Sequence, residues 1–394
     1  MRLLKKIQFV TLNNGVGGSE KAVATLADSL TSLYDVEIIS LYDFSDSAYF
    51  DVNKDIRCCT LIPRVKRMTR IFKLLLDDFD LKKIFQVIRE DYITCGKVRY
   101  LIPDIMRVIN MRLIRKRRVL KNFFLRSDAD IVITTSATLN KYLVKYAPKN
   151  VKKIGWVHDK RYLTGNIKNK ELRTWEQLDR VVFVTPALLG KYQNEFKKNN
   201  GVFIPDALSE VPDITSELDK LRVIAIGKLE VERGLLEYID VINYVHKVSK
   251  DIEFLIVGDG FARNQIESKI VQYRLEKCIK MLGEIPHNDL VKILGSCSVF
   301  VSPSISGSLG LSVLEALSVG LPCVVFENSL GGTTLIKNEV NGILVEDGNY
   351  HMMADKIIEL IDDETFRKTL GNCAKETSLS YDIKAIKGEW LKIL

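Results

Sequence analysis

Short runs of β-branched and other apolar residues alternate with helical stretches along most of the chain, and this alternation limits the possible folds more than any other feature. Strands separated by helices pair in parallel. Several runs are apolar at every position, which is typical of strands that helices cover on both faces. The pattern therefore predicts an α/β protein with two doubly wound parallel sheets, whose strands are Ile7–Leu12, Val36–Leu41, Asp130–Thr134, Lys153–Val157, Val181–Thr185 and Val202–Pro205, followed by Arg222–Ile226, Glu253–Val257, Lys280–Leu282, Ser298–Val301, Cys323–Phe326 and Gly342–Val345.

The polar stretch Ser209–Lys220, which contains Pro212, separates the two series of strands. It predicts a linker over residues 209–220 between a first domain, residues 1–208, and a second domain, residues 221–378. A chain of 394 residues is long enough to form two cores. Ligands of doubly wound sheets bind beyond the carboxyl ends of the strands, so the cleft between the two domains is the expected site.

The positive charge is concentrated in one segment. Residues 64–126 contain 18 Lys and Arg against 6 Asp and Glu, a balance of +12, so the rest of the chain sums to −4 within a net charge of +8. We expect long helices here, with the highest charge density at Arg115-Lys116-Arg117-Arg118. A solvated helical face, nucleic acid and an anionic membrane surface are the three interpretations. Apolar residues interleave with the cations and no nucleic-acid motif accompanies them, which favours the membrane surface.

Other classes of protein fit the composition poorly. The seven cysteines contain no C-x-x-C pair, and four histidines are few for a metal centre. No apolar run approaches the ~20 residues of a spanning helix. The opening residues lack the cleavage site of a signal peptide. We therefore expect a protein of the reducing cytoplasm without a metal ion or disulfide framework.

The strongest local signal lies within residues Val301–Phe326. A strand ending at Pro303 leads through small residues into a helix, from about Leu309 to Val319, that is apolar on nearly every side and should be buried. Glu315 is its only charge, and a buried carboxylate needs a partner: either ligand hydroxyls or, as a structural alternative, an Arg or Lys elsewhere in the chain. A carboxylate below an anion-binding helix start suits a ribose attached to a diphosphate. The amides of that start belong to Gly307, Ser308, Leu309, Gly310 and Leu311.

A second signal follows the first strand of the second sheet. Lys228 and Arg233 lie five residues apart, each beside a glycine, Gly227 and Gly234. Two cations at the carboxyl end of a strand can converge on one diphosphate through charge-assisted hydrogen bonds. The pattern predicts a diphosphate site.

Three weaker signals also follow strands. Gly17 and Gly18 come between the first strand and a helix, where the backbone can approach a ligand closely. Gly258 begins a Gly-Asp-Gly turn, which is either a ligand loop or a structural turn. His158 ends a strand at the expected cleft, where a structural and a catalytic role are both open.

Taken together, these motifs resemble the retaining glycosyltransferases of family 4, which have the GT-B fold of two facing Rossmann-like domains. The resemblance extends over nearly the whole chain. It includes Gly17-Gly18, His158, Val181–Pro186, Ile204-Pro205-Asp206, Lys228, Arg233, Gly258-Asp259-Gly260, Pro303-Ser304, Leu314-Glu315-Ala316, Asn341-Gly342 and Ser380-Tyr381.

The resemblance implies a function and a mechanism. The second domain would bind a nucleotide-sugar donor, a UDP-sugar by expectation, with Lys228 and Arg233 on the diphosphate and Glu315 on the ribose. The first domain would bind a glycan or polyprenyl-linked acceptor, and residues 379–394 would form a helix returning to that domain. Retention by a same-face route needs no protein nucleophile and no metal, so we interpret Asp78-Phe79-Asp80 and Asp128-Ala129-Asp130 as incidental. The implied process is bacterial surface-polysaccharide synthesis at the cytoplasmic face of the membrane.

Two positions depart from the family pattern. The first of the family's paired glutamates falls on Gly307, and a second acidic position falls on Thr334. These departures keep two alternatives open. One is a non-catalytic accessory subunit of a glycosyltransferase complex, which the retained Lys228, Arg233 and Glu315 disfavour. The other is a nucleotide-sugar epimerase of related fold, which the missing acid at Gly307 disfavours.

Overall fold

A computed structural model describes residues 4–14, 17–43, 52–62, 115–158, 169–193, 195–304, 309–327, 329 and 331–394. These residues form thirteen strands, which are β1 Lys6–Asn13, β2 Asp35–Tyr42, β3 Arg57–Ile62, β4 Ile131–Thr134, β5 Lys152–Val157, β6 Arg180–Phe183, β7 Gly201–Phe203, β8 Arg222–Ile226, β9 Glu253–Val257, β10 Ile279–Gly283, β11 Val299–Ser302, β12 Cys323–Phe326 and β13 Gly342–Val345.

The same residues form thirteen α-helices, and a 3-10 helix at Val231–Arg233. The α-helices are α1 Gly18–Leu30, α2 Lys116–Leu125, α3 Ala137–Tyr146, α4 Asn169–Trp175, α5 Pro186–Gln193, α6 Leu235–Val248, α7 Arg263–Tyr273, α8 His287–Gly295, α9 Leu311–Ser318, α10 Gly332–Leu335, α11 Tyr350–Asp362, α12 Glu364–Leu379 and α13 Ile383–Leu391.

The first sheet contains seven strands in the order β3-β2-β1-β4-β5-β6-β7. The pairs β1–β2, β1–β4, β2–β3 and β4–β5 are parallel. The chain leaves β1 toward β2 and β3, then resumes on the other side of β1 at β4. This reversal is a topological switch point, where the loops after two neighbouring strands separate and leave a crevice at their carboxyl ends.

The second sheet contains six strands in the order β10-β9-β8-β11-β12-β13. All its pairs are parallel. Its core combines the inner faces of the central strands with α6, α7 and α11. Here the switch point lies between β8 and β11, so the loops that follow these two strands border the crevice. The predicted pair of doubly wound parallel sheets is confirmed.

Every strand that the sequence predicts is present, with ends that shift by a few residues, and one further strand, β3, was missed. Arg57, Cys58 and Cys59 in β3 are exposed, because β3 is the outermost strand of its sheet. An edge strand covered on one side lacks the continuous apolar run by which buried parallel strands are recognised.

The predicted linker is fixed along its length. The amide of Ser216 donates to the carbonyl of Val319, and Lys375 Nζ donates to the carbonyls of Pro212 and Ile214. The buried guanidinium of Arg367 donates to the carbonyl of Leu218 at 2.9 Å and to two carbonyls at the end of α11. Residues 212–218 are therefore held against the second sheet's helices.

By contact density the chain divides into two compact units, residues 1–156 with 169–181 and residues 157–168 with 182–394. The predicted domain boundaries at residues 208 and 221 stay predictions. Beyond α12 the chain hydrogen-bonds to the segment after β7, since the amide of Leu208 donates to the carbonyl of Tyr381 and the amide of Ile383 donates to that of Leu208. Helix α13 follows and buries Trp390.

The basic segment is described only from Arg115 onward, and the predicted helices over residues 64–114 lie outside the described residues. Helix α2 buries Leu120 and Phe124 and exposes the cations Arg117, Arg118 and Lys121. Among the residues described, no helix is long and apolar enough to cross a membrane.

Candidate functional site

The crevice of the second sheet is built on close backbone contacts that only glycine allows. Gly258, after β9, has a φ of 125°, and a Cβ there would overlap the carbonyl oxygen of Gly227, after β8. Gly234, between the 3-10 helix and α6, has a φ of 71°, and its Cβ would overlap the carbonyl oxygen of Pro303, after β11. The glycines therefore let the loops after β8, β9 and β11 meet at one edge of the sheet.

The predicted diphosphate cations lie on this edge. Lys228 is exposed, directly after β8 and Gly227, and Arg233 is half-buried at the end of the 3-10 helix. Their loop is locked to the next one, because the amide of Leu229 donates to the carbonyl of Asp259 and the amide of Ala262 donates back to Leu229. Both cations are thus carried by a fixed loop at the switch point, where a strand's carboxyl end opens to a ligand.

The predicted anion loop borders the same strands. Leu309 is buried, Gly310 adopts a φ of 86° immediately before α9, and Leu311 begins that helix. Gly331 fits against the carbonyl of Leu309, where a Cβ would overlap the oxygen. Gly307 and Ser308 lie outside the described residues.

Glu315 is buried in α9, with 6% of its surface exposed. Its Oε1 lies 3.4 Å from Nδ1 of His287, the first residue of α8. The sequence predicted that this carboxylate needs a partner, with ligand hydroxyls and an Arg or Lys as the two alternatives. The partner is a histidine 28 residues away, on a helix that begins after β10. The sequence offered a weak signal for it. Pro286 favours a helix start at the next residue, and that helix follows the predicted strand Lys280–Leu282.

His158 follows β5 and is buried. Its Nε2 lies 3.0 Å from Oδ1 of Asp206, whose side chain is fully buried. Asp206 follows β7, and the sequence marked it only as part of the Ile204-Pro205-Asp206 motif. The strand-end position predicted for His158 is confirmed, and its catalytic role stays a prediction.

Gly17 and Gly18 lie between β1 and α1, on the carboxyl side of a strand at the switch point of the first sheet. Gly17 has an extended backbone before α1, and its missing Cβ leaves room for the Glu20 carboxylate, which also accepts a hydrogen bond from Ser19 Oγ at 2.9 Å. An acidic side chain therefore lies beside this predicted acceptor and phosphate loop.

The described Asp-x-Asp motif is occupied by contacts within the protein. Asp128 forms a 2.7 Å ion pair with Lys6 Nζ, which helps lower the pKa of the Asp128 carboxyl below its usual value, and Asp130 accepts a hydrogen bond from the Lys6 amide. Asp78-Phe79-Asp80 lies outside the described residues. Over the described ranges, no cluster of three His, Cys, Asp or Glu side chains could hold a metal ion.

Two doubly wound parallel sheets are the architecture of the GT-B fold, and solved GT-B structures share it with this chain. TarM of S. aureus, solved with fondaparinux, alpha-GlcNAc-glycerol and UDP, superposes with a TM-score of 0.72 at 16% identity, over 98% of this chain and 99% of TarM. Residues 209–377 match the family model "Glycosyl transferases group 1". The matched part of the chain carries Lys228, Arg233 and Glu315.

Full-length relatives are glycosyltransferases as well. An uncharacterized glycosyltransferase of Haemophilus influenzae is 24% identical over 99% of this chain and 100% of its own length. The amylovoran biosynthesis glycosyltransferase AmsD of Erwinia amylovora is 25% identical over 96% of both chains. The GalNAc-alpha-(1->4)-GalNAc-alpha-(1->3)-diNAcBac-PP-undecaprenol alpha-1,4-N-acetyl-D-galactosaminyltransferase of Campylobacter jejuni is 24% identical over 99% of this chain and 98% of its own. The resemblance to GT-B glycosyltransferases is confirmed, and the narrower assignment to family 4 stays a prediction.

Proposed function

We propose that the protein is a retaining glycosyltransferase that moves a sugar from a UDP-sugar to a polyprenyl-linked glycan during bacterial surface-polysaccharide synthesis. The observation that carries this proposal is a shared location at one switch point. Lys228 and Arg233 lie on a fixed loop after β8, and the carboxylate of Glu315 is buried in the helix that follows the neighbouring strand, β11. A nucleoside diphosphate offers the complementary groups, because its phosphates are anionic and its ribose has two adjacent hydroxyls. UDP in TarM and undecaprenol in the name of the Campylobacter relative support the donor and acceptor classes.

The chemistry follows from what these side chains can stabilise. As the bond between the sugar's anomeric carbon and the phosphate oxygen breaks, negative charge develops on the diphosphate. Lys228 and Arg233 would stabilise that charge through charge-assisted hydrogen bonds, without a metal ion. The departing phosphate oxygen takes the proton of the acceptor hydroxyl, whose oxygen bonds to the same face of the anomeric carbon. The configuration is therefore retained and no protein nucleophile is needed.

We also propose that the protein works at an anionic, cytoplasmic membrane surface. Arg117, Arg118 and Lys121 are exposed on α2, and Lys121 and Lys145 lie 5.9 and 5.3 Å from the ring centre of Tyr146. Surfaces that combine cations with aromatic rings suit the headgroup region of a bilayer. A polyprenyl-linked acceptor would be reached from such a surface.

A non-catalytic accessory subunit is the second candidate. The observation that favours it is Gly307, because the family's first glutamate would lie at that position. Such a subunit could still bind a nucleotide, so binding alone does not separate the two functions. Turnover does.

The proposed function is tested with variants of the two cations. Lys228→Ala and Arg233→Ala each remove a charged hydrogen bond, so the affinity for UDP, measured by calorimetry, and the rate of sugar transfer should each fall about tenfold to a hundredfold. Lys277→Ala, an exposed lysine between α7 and β10, is the matched control and should change neither. Transfer is assayed with a panel of UDP-sugars and a polyprenyl-diphosphate glycan.

Two results would contradict the proposal. Wild-type affinity for UDP in both cation variants would show that neither Lys228 nor Arg233 binds the diphosphate. Binding of UDP by the wild-type protein without transfer or hydrolysis of any nucleotide sugar in the panel would favour the accessory subunit.

A further inference from the structure

Two side chains meet at the carboxyl edge of the first sheet although they are 48 residues apart in sequence. His158 directly follows β5, and Asp206 lies three residues beyond the end of β7, with β6 between these strands. The amide of Ile204 still donates to the carbonyl of Phe183 in β6, so the backbone leading to Asp206 continues the sheet. Pro205 restricts the backbone just before the carboxylate. The position of Asp206 is therefore set by the sheet.

The contact between them is short and buried. His158 Nε2 and Asp206 Oδ1 are 3.0 Å apart, with side-chain exposures of 7% and 0%. Within the described structure, the other carboxylate oxygen, Oδ2, has no hydrogen-bond partner. The imidazole is thus the partner that compensates the burial of this carboxylate. Burying a carboxylate with one partner destabilises the fold relative to an apolar residue, which would pack there without the desolvation penalty.

We propose that Asp206 is a positioning residue that acts through His158. An ionised carboxylate can only accept a hydrogen bond, so the shared hydrogen belongs to Nε2 of His158. This bond fixes the ring plane and the tautomer in which Nε2 carries the hydrogen and Nδ1 is the acceptor nitrogen.

The inference rests on the proposed function, because a held imidazole matters for sugar transfer only if His158 acts on the substrates. In that reaction an imidazole held in this tautomer can accept a hydrogen bond at Nδ1 in one fixed direction. A ring free to rotate would lose that orientation. Asp206 should therefore affect turnover more than donor binding.

The first experiment observes the imidazole itself. The chain has four histidines, so ¹⁵N-histidine labelling gives four ring spectra, and His158→Gln assigns one of them to His158. At one fixed pH, the wild-type protein should show His158 as a single form that carries hydrogen on Nε2. Asp206→Ala should shift both of its nitrogen signals toward a mixture of tautomers. Ser216→Ala, which removes another buried hydrogen-bonding side chain, is the matched control and should leave them unchanged.

The second experiment measures turnover of the full-length protein with a UDP-sugar. Asp206→Ala should lower kcat about tenfold to a hundredfold while KM for the donor changes less than about threefold. Asp206→Asn retains an oxygen that can accept from Nε2, so it should recover part of kcat. In a His158→Gln background, Asp206→Ala should cause no further loss, because the residue acts through the histidine.

The outcomes separate the two proposals. Unchanged His158 signals in Asp206→Ala, or losses that multiply independently in the double variant, would overturn the positioning role. A wild-type protein without any transfer activity would instead remove the proposed function. In that case the nitrogen spectra would still decide whether Asp206 sets the tautomer of His158.

Discussion

Gly234 joins the loop of the diphosphate cations to the end of β11, and replacing it by alanine tests how tightly this edge is built. Its φ of 71° lies in the left-handed region, where an alanine is strained by roughly 1–2 kcal/mol. A Cβ there would also lie 3.0 Å from the carbonyl carbon of Pro303 and 3.1 Å from the hydroxyl of Tyr350, besides overlapping the Pro303 oxygen. Because these neighbours are largely backbone, overpacking adds about 1–3 kcal/mol.

Gly348 provides the matched control. Its φ is 75°, nearly that of Gly234, but a Cβ there would meet nothing within 4 Å. Gly348→Ala therefore isolates the backbone strain, which the lower entropy of the unfolded chain offsets by about 0.4–1 kcal/mol. Its net cost should be about 0–1.5 kcal/mol, and Gly234→Ala should cost about 1–3 kcal/mol more, because overpacking adds to the same strain. Gly388→Ala, at an open position inside α13, should instead stabilise by about 0.5–1 kcal/mol.

Differential scanning calorimetry measures the comparison, since about 1 kcal/mol shifts the Tm of a domain of this size by roughly 2–4 °C. Gly348→Ala should melt at most about 6 °C below the wild type, and Gly234→Ala about 2–12 °C below Gly348→Ala. In the folded Gly234→Ala protein, the affinity for UDP should also fall, because the 3-10 helix that carries Arg233 must move. Equal Tm values for the two variants would refute the tight contact with Pro303.

The remaining predictions concern three other parts of the chain. Glu315→Gln should lower the affinity for UDP while the Tm stays close to that of the wild type, and a variant that is unfolded or binds normally by calorimetry would show that the carboxylate is structural or idle. His287→Ala should lower the affinity in the same direction, and no additional loss is expected in the double variant with Glu315→Gln. Neutralising Arg115–Arg118 should release the protein from anionic vesicles in a sedimentation assay, because each charge near the surface contributes about 1 kcal/mol to binding. High salt should release the wild-type protein as well. Equal binding of the wild-type protein to neutral and anionic vesicles would contradict the membrane proposal. Gly307→Glu should weaken donor turnover by adding negative charge near the donor phosphates, and a gain of activity from an inactive wild type would instead support the accessory subunit.

Local patterns were sufficient for most of the secondary structure. Strands such as β8 and β12 are apolar at nearly every position, so each reads as a buried strand without knowledge of its neighbours. Arg57–Ile62 does not, because the outermost position of β3 lets polar and charged side chains face solvent. That position follows from the order of strands, which depends on contacts between distant parts of the chain.

The candidate site also combines features that local sequence predicts with contacts that it does not. The charge on an otherwise apolar helix was enough to single out Glu315, since burial of a lone carboxylate is unfavourable in any fold. The identity of its partner was not predictable, because His287 belongs to a helix that begins after another strand. The linker is a further case: its polar composition predicted a linker, but not that Arg367 and Lys375 would donate hydrogen bonds to its carbonyls.

The sequence by itself determined the class of fold, the strand-end positions of Lys228 and His158, and the glycines beside Lys228 and Arg233. These follow from periodicity and turn chemistry, which act over a few residues. Only the tertiary structure decided that β8 and β11 are neighbours, that Gly234 fits against Pro303, and that Asp206 holds His158. Such contacts join residues tens of positions apart, and their geometry is set by how the sheets are ordered and packed, which no local pattern encodes.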